Sequence, residues 1–128
     1  WRIGINEPND DEPAVADEFQ AILALSDRAM ATSGNYRNFY EEDGKKYAHT
    51  IDPKTGFPVQ HSLLSATVLA NHCITADAFA TAFMVMGWEK TIELCQTIDS
   101  IDVFLIVDDG QGGYEVKTTA GFERYLAE

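Results

Sequence analysis

An acidic and a hydroxyl side chain stand four residues apart in the apolar segment TADAFATA, residues 75 to 82. On a helix, Asp77 and Thr81 would lie one above the other on the same face. Two oxygen donors near a helix start suit a hard cation such as Mg²⁺ that carries phosphate oxygens with it. An ordinary helix start, with Asp77 favouring the dipole and Thr81 packed, explains the same spacing. From spacing alone the ordinary helix is the better interpretation, and the metal site is the alternative.

A histidine precedes a turn in HTIDPKTGFP, residues 49 to 58. His49 could contact a phosphate or shuttle a proton, because imidazole titrates near neutral pH. A strand histidine that is held only by structural hydrogen bonds is the alternative. Asp52 before Pro53 suits an Asx-type turn, and Gly56 can take the left-handed conformation that follows it. Turn formation by itself accounts for Asp52.

The segment SGNYR, residues 33 to 37, is a third candidate. Ser33, Asn35 and Tyr36 offer a hydroxyl, an amide and an aromatic ring, which together can hold a polar heteroaromatic group or a phosphate. Arg37 could pair with a phosphate or with a surface carboxylate. Since SGN is also an ordinary turn, binding and turn formation both stay open.

The composition narrows the kinds of partner. A formal net charge of −12 disfavours non-specific attraction to nucleic acid or anionic lipid, which depends on Lys and Arg. Phosphate ligands stay compatible, because a bound cation reverses the local charge. No apolar run approaches the roughly 20 residues that cross a bilayer. Cys73 and Cys95 lack the spacing of a zinc or redox motif, so neither kind of site is predicted.

Hydrophobic period and turn residues predict the elements that would position these side chains. Strands are expected in WRIGI, at 45 to 51, at 62 to 70, and in DVFLIVDD and YEVKTT across a GQGG turn. The long run FQAILALSDRAMATSG could be a strand or a helix by periodicity alone, and a strand is the preferred interpretation. The strands at 45 to 51 and 62 to 70 are expected to pair as a hairpin-like unit.

Two consecutive helices are expected at about 75 to 86 and 88 to 98. Thr75 is the expected N-cap, Asp77 is expected in the first turn, and Gly87 is expected to stop the first helix. Strands and helices together predict an α+β fold class.

Three motifs follow one another in a definite order along the chain. They are TSGNYRNFY at 32 to 40, HTIDPKTGFPV at 49 to 59 and TADAFATAFMVMG at 75 to 87. This succession resembles the ApbE family, the Mg²⁺-dependent FAD:protein FMN transferases, and the resemblance covers essentially all 128 residues. It implies a mixed, largely antiparallel sheet with the two consecutive helices, as part of a larger ApbE-like fold.

The resemblance also implies an activity and its residues. The family binds FAD, transfers the FMN moiety to a threonine hydroxyl of a target protein and releases AMP. Asp77 and Thr81 would supply metal oxygens to Mg²⁺. His49 would be the catalytic residue beside the pyrophosphate, where it positions that group or handles the acceptor's proton. The residues implied in cofactor binding are Ser33, Asn35, Tyr36, His49, Asp52, Thr55 and Gly56.

Residues 1 to 128 resemble the C-terminal half of the family, so upstream residues would complete the metal cage and the flavin pocket. The fragment alone is therefore expected to be inactive. Thr50 and Phe79 differ from the residues that are commoner at these positions in the family, and neither difference removes an expected metal ligand.

Location and chemistry are also implied, with alternatives left open. The family implies a periplasmic or cell-envelope lipoprotein of a bacterium. A Mg²⁺-dependent FAD pyrophosphatase that yields FMN and AMP is one alternative to the transferase, and a non-catalytic FAD-binding module of the cell envelope is the other.

Overall fold

The computed structural model describes residues 1–8, 19–35, 39–43, 45–48, 50–59 and 61–127. These residues form eight strands, two α-helices and a closing 3₁₀ helix. The strands are β1 Arg2–Asn6, β2 Phe19–Ala24, β3 Ala29–Gly34, β4 Phe39–Glu42, β5 Lys45–Ala48, β6 Leu63–Ala70, β7 Asp102–Asp108 and β8 Tyr114–Thr118. The helices are α1 Cys73–Met86, α2 Trp88–Cys95 and the 3₁₀ helix Ala120–Tyr125. The α+β class is confirmed, and none of the described helices is long and apolar enough to cross a membrane.

A four-stranded sheet in the order β3-β6-β7-β8 forms the centre of the fold. All of its neighbouring strands are antiparallel. The strands β1 and β2 form a second, two-stranded antiparallel sheet, and β4 and β5 form a third. The predicted hairpin of YEVKTT with DVFLIVDD is confirmed as β7 and β8.

The predicted pairing of residues 45 to 51 with 62 to 70 is wrong. β5 pairs with β4, whereas β6 lies between β3 and β7. The reason is burial: nearly every residue of β6 is buried, so the strand must satisfy its backbone on both edges. β4 and β5 pair locally across a short turn in which Asp43 has φ +53°, and a short loop costs little closure entropy.

The boundaries of the helices also differ from the prediction. Helix α1 begins at Cys73 with His72 as its N-cap residue, so Thr75 is not the cap and Asp77 lies beyond the first turn. β6 ends at Ala70, and the helix begins as soon as the chain has left the sheet. Nothing in Cys73 or Ile74 opposes helical geometry, so the helix extends back to the connection.

The predicted stop of the first helix at Gly87 is confirmed. Gly87 has φ +84° and its N–H donates to the Phe83 carbonyl. At the same end of α1, His61 Nε2 donates to the Met84 carbonyl at 2.6 Å, while its Nδ1 accepts the Leu63 N–H at 3.2 Å. His61 therefore fixes the end of the helix against the start of β6.

The central sheet separates two apolar clusters. One face packs against the helices through a cluster that includes Val68, Phe83 and Leu105. The other face packs against β1, β2 and the 3₁₀ helix through a cluster that includes Leu23 and Phe122. All five side chains are fully buried, and each such burial stabilises the fold by roughly 1.5–3 kcal/mol. The first of these clusters holds α1 against the sheet.

Candidate active site

The central feature of the site is a contact between β3 and α1. Ser33 lies near the end of β3 and faces the helix, where its Oγ is 3.4 Å from Oγ1 of Thr81. Asp77 lies one turn earlier on α1, and both Asp77 and Thr81 are exposed. By helical geometry the carboxylate and the two hydroxyls share one surface. The structure thus places Ser33 in contact with Thr81, and Asp77 lies one helical turn from Thr81.

The position of Asp77 bears on its role. A carboxylate in the first turn of a helix is explained by the dipole, but the dipole effect falls off within that turn and Asp77 lies beyond it. A cation is disfavoured at the positive, N-terminal end of a helix, so the observed position of Asp77 suits a cation better than the expected position in the first turn. The ordinary explanation for Asp77 is therefore weakened.

These donors suit part of a shell around a hard cation. A carboxylate and two hydroxyls are all-oxygen donors, which Mg²⁺ prefers, and the exposure of Asp77 and Thr81 leaves their lone pairs accessible. Among the described residues, no group of three or more His, Cys, Asp or Glu side chains could hold a metal ion. Asp77 would thus supply the charge, while phosphate oxygens or water complete the shell.

Asn35 connects the end of β3 to the turn at residues 50 to 59. Its Oδ1 accepts a hydrogen bond from the Thr50 hydroxyl at 3.1 Å, and its backbone N–H donates to the Leu64 carbonyl. Thr50 bonds to the oxygen of the Asn35 side chain, and the two N–H donors of that side chain have no hydrogen-bond partner among the residues that the structure describes. The turn is therefore tied to the strand that carries Ser33.

The turn itself is closed by its own polar side chains. Asp52 Oδ1 accepts the Lys54 N–H at 2.8 Å, and Thr55 Oγ1 accepts the Phe57 N–H at 3.2 Å. Gly56 has φ +73°, so the predicted Asx turn and the left-handed glycine are both confirmed. Asp52 and Thr55 thus shape the turn. A Cβ on Gly56 would have no atom within 4 Å, so the backbone there is open to a ligand.

His49 and Tyr36 lie outside the described residues, as does Arg37. The catalytic role of His49 and the flavin contact of Tyr36 stay predictions. Thr50, which follows His49 directly in the chain, is described and is held by Asn35.

The sequence reasoning missed two contacts in this region. Ser33 and Thr81 are 48 residues apart, and Asn35 and Thr50 are 15 apart. No local period reports contacts over such separations. The only signal was the unusual Thr50 within the motif, since an aliphatic residue there could not donate to Asn35.

The sequence model of the ApbE family matches residues 1–105 of the chain. This chain belongs to the ApbE family. The order of the three motifs predicted that membership, and the match confirms it.

Relatives in the ApbE family carry the name FAD:protein FMN transferase. The protein from Vibrio cholerae is 42% identical over 127 residues, which cover 99% of this chain and 34% of the relative. The protein from Salmonella typhimurium is 43% identical over 112 residues, which cover 88% of this chain and 31% of the relative. The chain thus spans about a third of the length of these relatives.

Solved ApbE structures share the fold. The flavin transferase ApbE from Vibrio cholerae matches with a TM-score of 0.79 and 39% identity, over 98% of this chain and 38% of its own. The ApbE protein from Thermotoga maritima matches with a TM-score of 0.78 and 30% identity, over 100% of this chain and 38% of its own. The α+β arrangement is therefore an ApbE arrangement.

Proposed function

We propose that the full-length protein transfers the FMN moiety of FAD to a threonine hydroxyl of a target protein and releases AMP. Membership of the ApbE family supports flavin transfer, since relatives about 40% identical carry that name. One structural observation supports the site: Asp77, Thr81 and Ser33 present oxygens on one surface where α1 crosses the end of β3.

The reaction needs one bond to form and one to break. The threonine oxygen attacks the phosphorus on the FMN side of the FAD pyrophosphate, and the bond to the AMP phosphate breaks as the new phosphoester forms. The hydroxyl proton must pass to a base, and His49 is the residue proposed to take it or to position the pyrophosphate. Mg²⁺ held by Asp77 and Thr81 would neutralise charge that develops on the phosphate oxygens.

The remaining predicted site residues have proposed roles in binding FAD. The side-chain N–H donors of Asn35 suit a phosphate or a flavin carbonyl oxygen, and the Ser33 hydroxyl suits a phosphate. Tyr36 would contact the flavin, as would the turn that Asp52, Thr55 and Gly56 form. A periplasmic or cell-envelope location in a bacterium, as a lipoprotein, is proposed from family membership.

Removal of the Asp77 carboxylate tests the function. In the full-length protein, Asp77→Asn should lower FMN transfer by at least about a hundredfold, because it removes the charged ligand of the cation. Since Asp77 is exposed, the free energy of unfolding should change by no more than about 0.5 kcal/mol. Mass spectrometry of the acceptor protein measures the adduct, and AMP release is measured in parallel.

Glu93 supplies the matched control, since it is an exposed acidic residue on α2, away from β3. Glu93→Gln should transfer FMN at the wild-type rate. Normal turnover by Asp77→Asn would refute the metal assignment. Free FMN without an adduct, in the presence of the acceptor, would favour a pyrophosphatase. Binding of FAD with no AMP release by the wild type would favour a non-catalytic module.

A further inference from the structure

A half-buried arginine joins three elements at the opposite end of β3 from Ser33. Arg28 directly precedes β3, and its side chain is only 13% exposed. Nη1 donates to Asn71 Oδ1 at 2.6 Å, and Nη2 donates to the carbonyl of Leu69 at 3.3 Å and to that of Ser100 at 2.9 Å. Nη2 also lies 3.8 Å from a carboxylate oxygen of Asp102, at the start of β7. One guanidinium therefore holds the start of β3 against β6 and β7.

Asn71 makes this cluster relevant to α1. It belongs to the two-residue connection between β6 and α1, so its side chain lies just before the helix. The contact of Arg28 with Asn71 is the shortest of the hydrogen bonds that the guanidinium donates. At the far end, His61 fixes α1 through Met84. Asp77 and Thr81 lie between these two attachments.

The Arg28 side chain is mostly withdrawn from solvent. Its Nε is buried and has no hydrogen-bond partner among the described residues. A buried polar N–H without a partner opposes folding, so the guanidinium is not oriented to satisfy all of its own donors. The guanidinium instead donates to oxygens of three residues: Leu69 in β6, Asn71 in the β6–α1 connection and Ser100 before β7. Arg28 therefore connects the start of β3 with the residues just before α1.

We propose that Arg28 is a positioning residue that, through Asn71, sets α1 against β3 and so fixes Asp77 and Thr81 beside Ser33. This role rests on the proposed function of Asp77 and Thr81 as ligands. Arg28 touches neither of them, so it acts on the cation only through the placement of the helix.

Arg124 offers a matched control within the same cluster. It donates to the same Asp102 carboxylate at 3.2 Å, but its side chain is 64% exposed. Its described contacts are with Asp102 and the Tyr125 ring, and they do not reach β3 or the β6–α1 connection. Loss of Arg124 thus removes a cation from Asp102 and leaves the link to α1 intact.

Binding of Mn²⁺, a substitute for Mg²⁺, tests the proposal in the full-length protein with FAD present. Free Mn²⁺ is followed by electron paramagnetic resonance. Arg28→Gln and Asn71→Ala should each weaken Mn²⁺ binding by about three- to tenfold, as expected of a contact that acts at a distance from the ligands. The double variant should bind Mn²⁺ no more weakly than either single variant, because each substitution breaks the same contact between Arg28 and Asn71.

Conservative and control variants complete the test. Asn71→Asp keeps an oxygen for Arg28 and should bind Mn²⁺ like the wild type, and Arg124→Gln should stay within about twofold. Additive losses of Mn²⁺ affinity in the double variant would overturn the proposal. So would a loss in Arg124→Gln as large as that in Arg28→Gln, or an unchanged Mn²⁺ affinity in a folded Arg28→Gln. If Arg28→Gln does not fold, Asn71→Ala decides, because Asn71 is exposed.

Asp77→Asn, measured in the same way, distinguishes a failure of the positioning role from a failure of the metal assignment. If Asp77→Asn binds Mn²⁺ more weakly and Asn71→Ala binds it with unchanged affinity, only the positioning role of Arg28 is refuted. Unchanged binding in Asp77→Asn would refute the metal assignment itself.

Discussion

At the scale of single residues, the Thr81 hydroxyl connects the part of the site on α1 with Ser33 on β3. It contacts Ser33 across the strand and helix, and it lies one turn from Asp77. The spacing of Asp77 and Thr81 on one face was predictable, because the helical period fixes it. The approach of Ser33 was not, since it depends on how α1 packs across the sheet.

Replacement of Thr81 isolates its oxygen. Thr81→Val keeps the shape of the side chain and removes the hydroxyl, so FMN transfer by the full-length protein should fall by about ten- to a hundredfold. Thr81 is exposed, and its substitution should leave stability nearly unchanged. Thr81→Ser retains the oxygen and should keep most of the activity. Equal activities of the valine and serine variants would show that Thr81 is not a ligand.

At the scale of elements, the sequence predicted the strands and helices better than their partners. Alternation along DVFLIVDD and YEVKTT, with glycines between them, determined a local hairpin. The position of β6 between β3 and β7 depends on non-local burial, which alternation alone does not report. The start of α1 was misplaced because Thr75 is a good capping residue, yet the short connection after β6 places the helix start earlier.

Gly87 allows α1 to end and α2 to begin one residue later. Its φ of +84° and ψ of 169° fall in a region that is almost restricted to glycine. Gly87→Ala should therefore lower the free energy of unfolding by about 1–3 kcal/mol in a urea titration. A Cβ there would meet the His61 ring at 3.6 Å, which is an ordinary contact, so the cost comes from the backbone. An unchanged stability would contradict this account.

At the scale of the whole molecule, the two cysteines differ in a way that their sequence context does not reveal. Cys73 is exposed at the start of α1, whereas Cys95 is buried at the end of α2. Burial, with a contribution from the Asp102 charge, raises the pKa of the Cys95 thiol from 9.0 to about 11. Only the packing of α2 against the sheet decides which thiol is protected.

The raised pKa of Cys95 predicts a loss of stability in alkaline solution. Because the folded protein holds the thiol proton more tightly than the unfolded chain, the contribution is complete below pH 9 and is lost as pH rises towards 11. The loss should reach about 1–3 kcal/mol. Urea titrations from pH 8 to 11 should show a steeper decline for the wild type than for Cys95→Ala. Cys73→Ala is the control and should decline like the wild type.

The two faces of β3 carry hydroxyl groups on neighbouring residues. Ser33 meets Thr81 on the helical side, whereas Thr32 Oγ1 lies 2.8 Å from Thr67 Oγ1 on the other side. Side chains alternate along a strand, so one inserted or deleted residue within β3 would exchange these faces from that point onward. A single-residue insertion or deletion in β3 that no β-bulge absorbs should therefore separate Ser33 from Thr81, whereas a change of two residues keeps each hydroxyl on its own face.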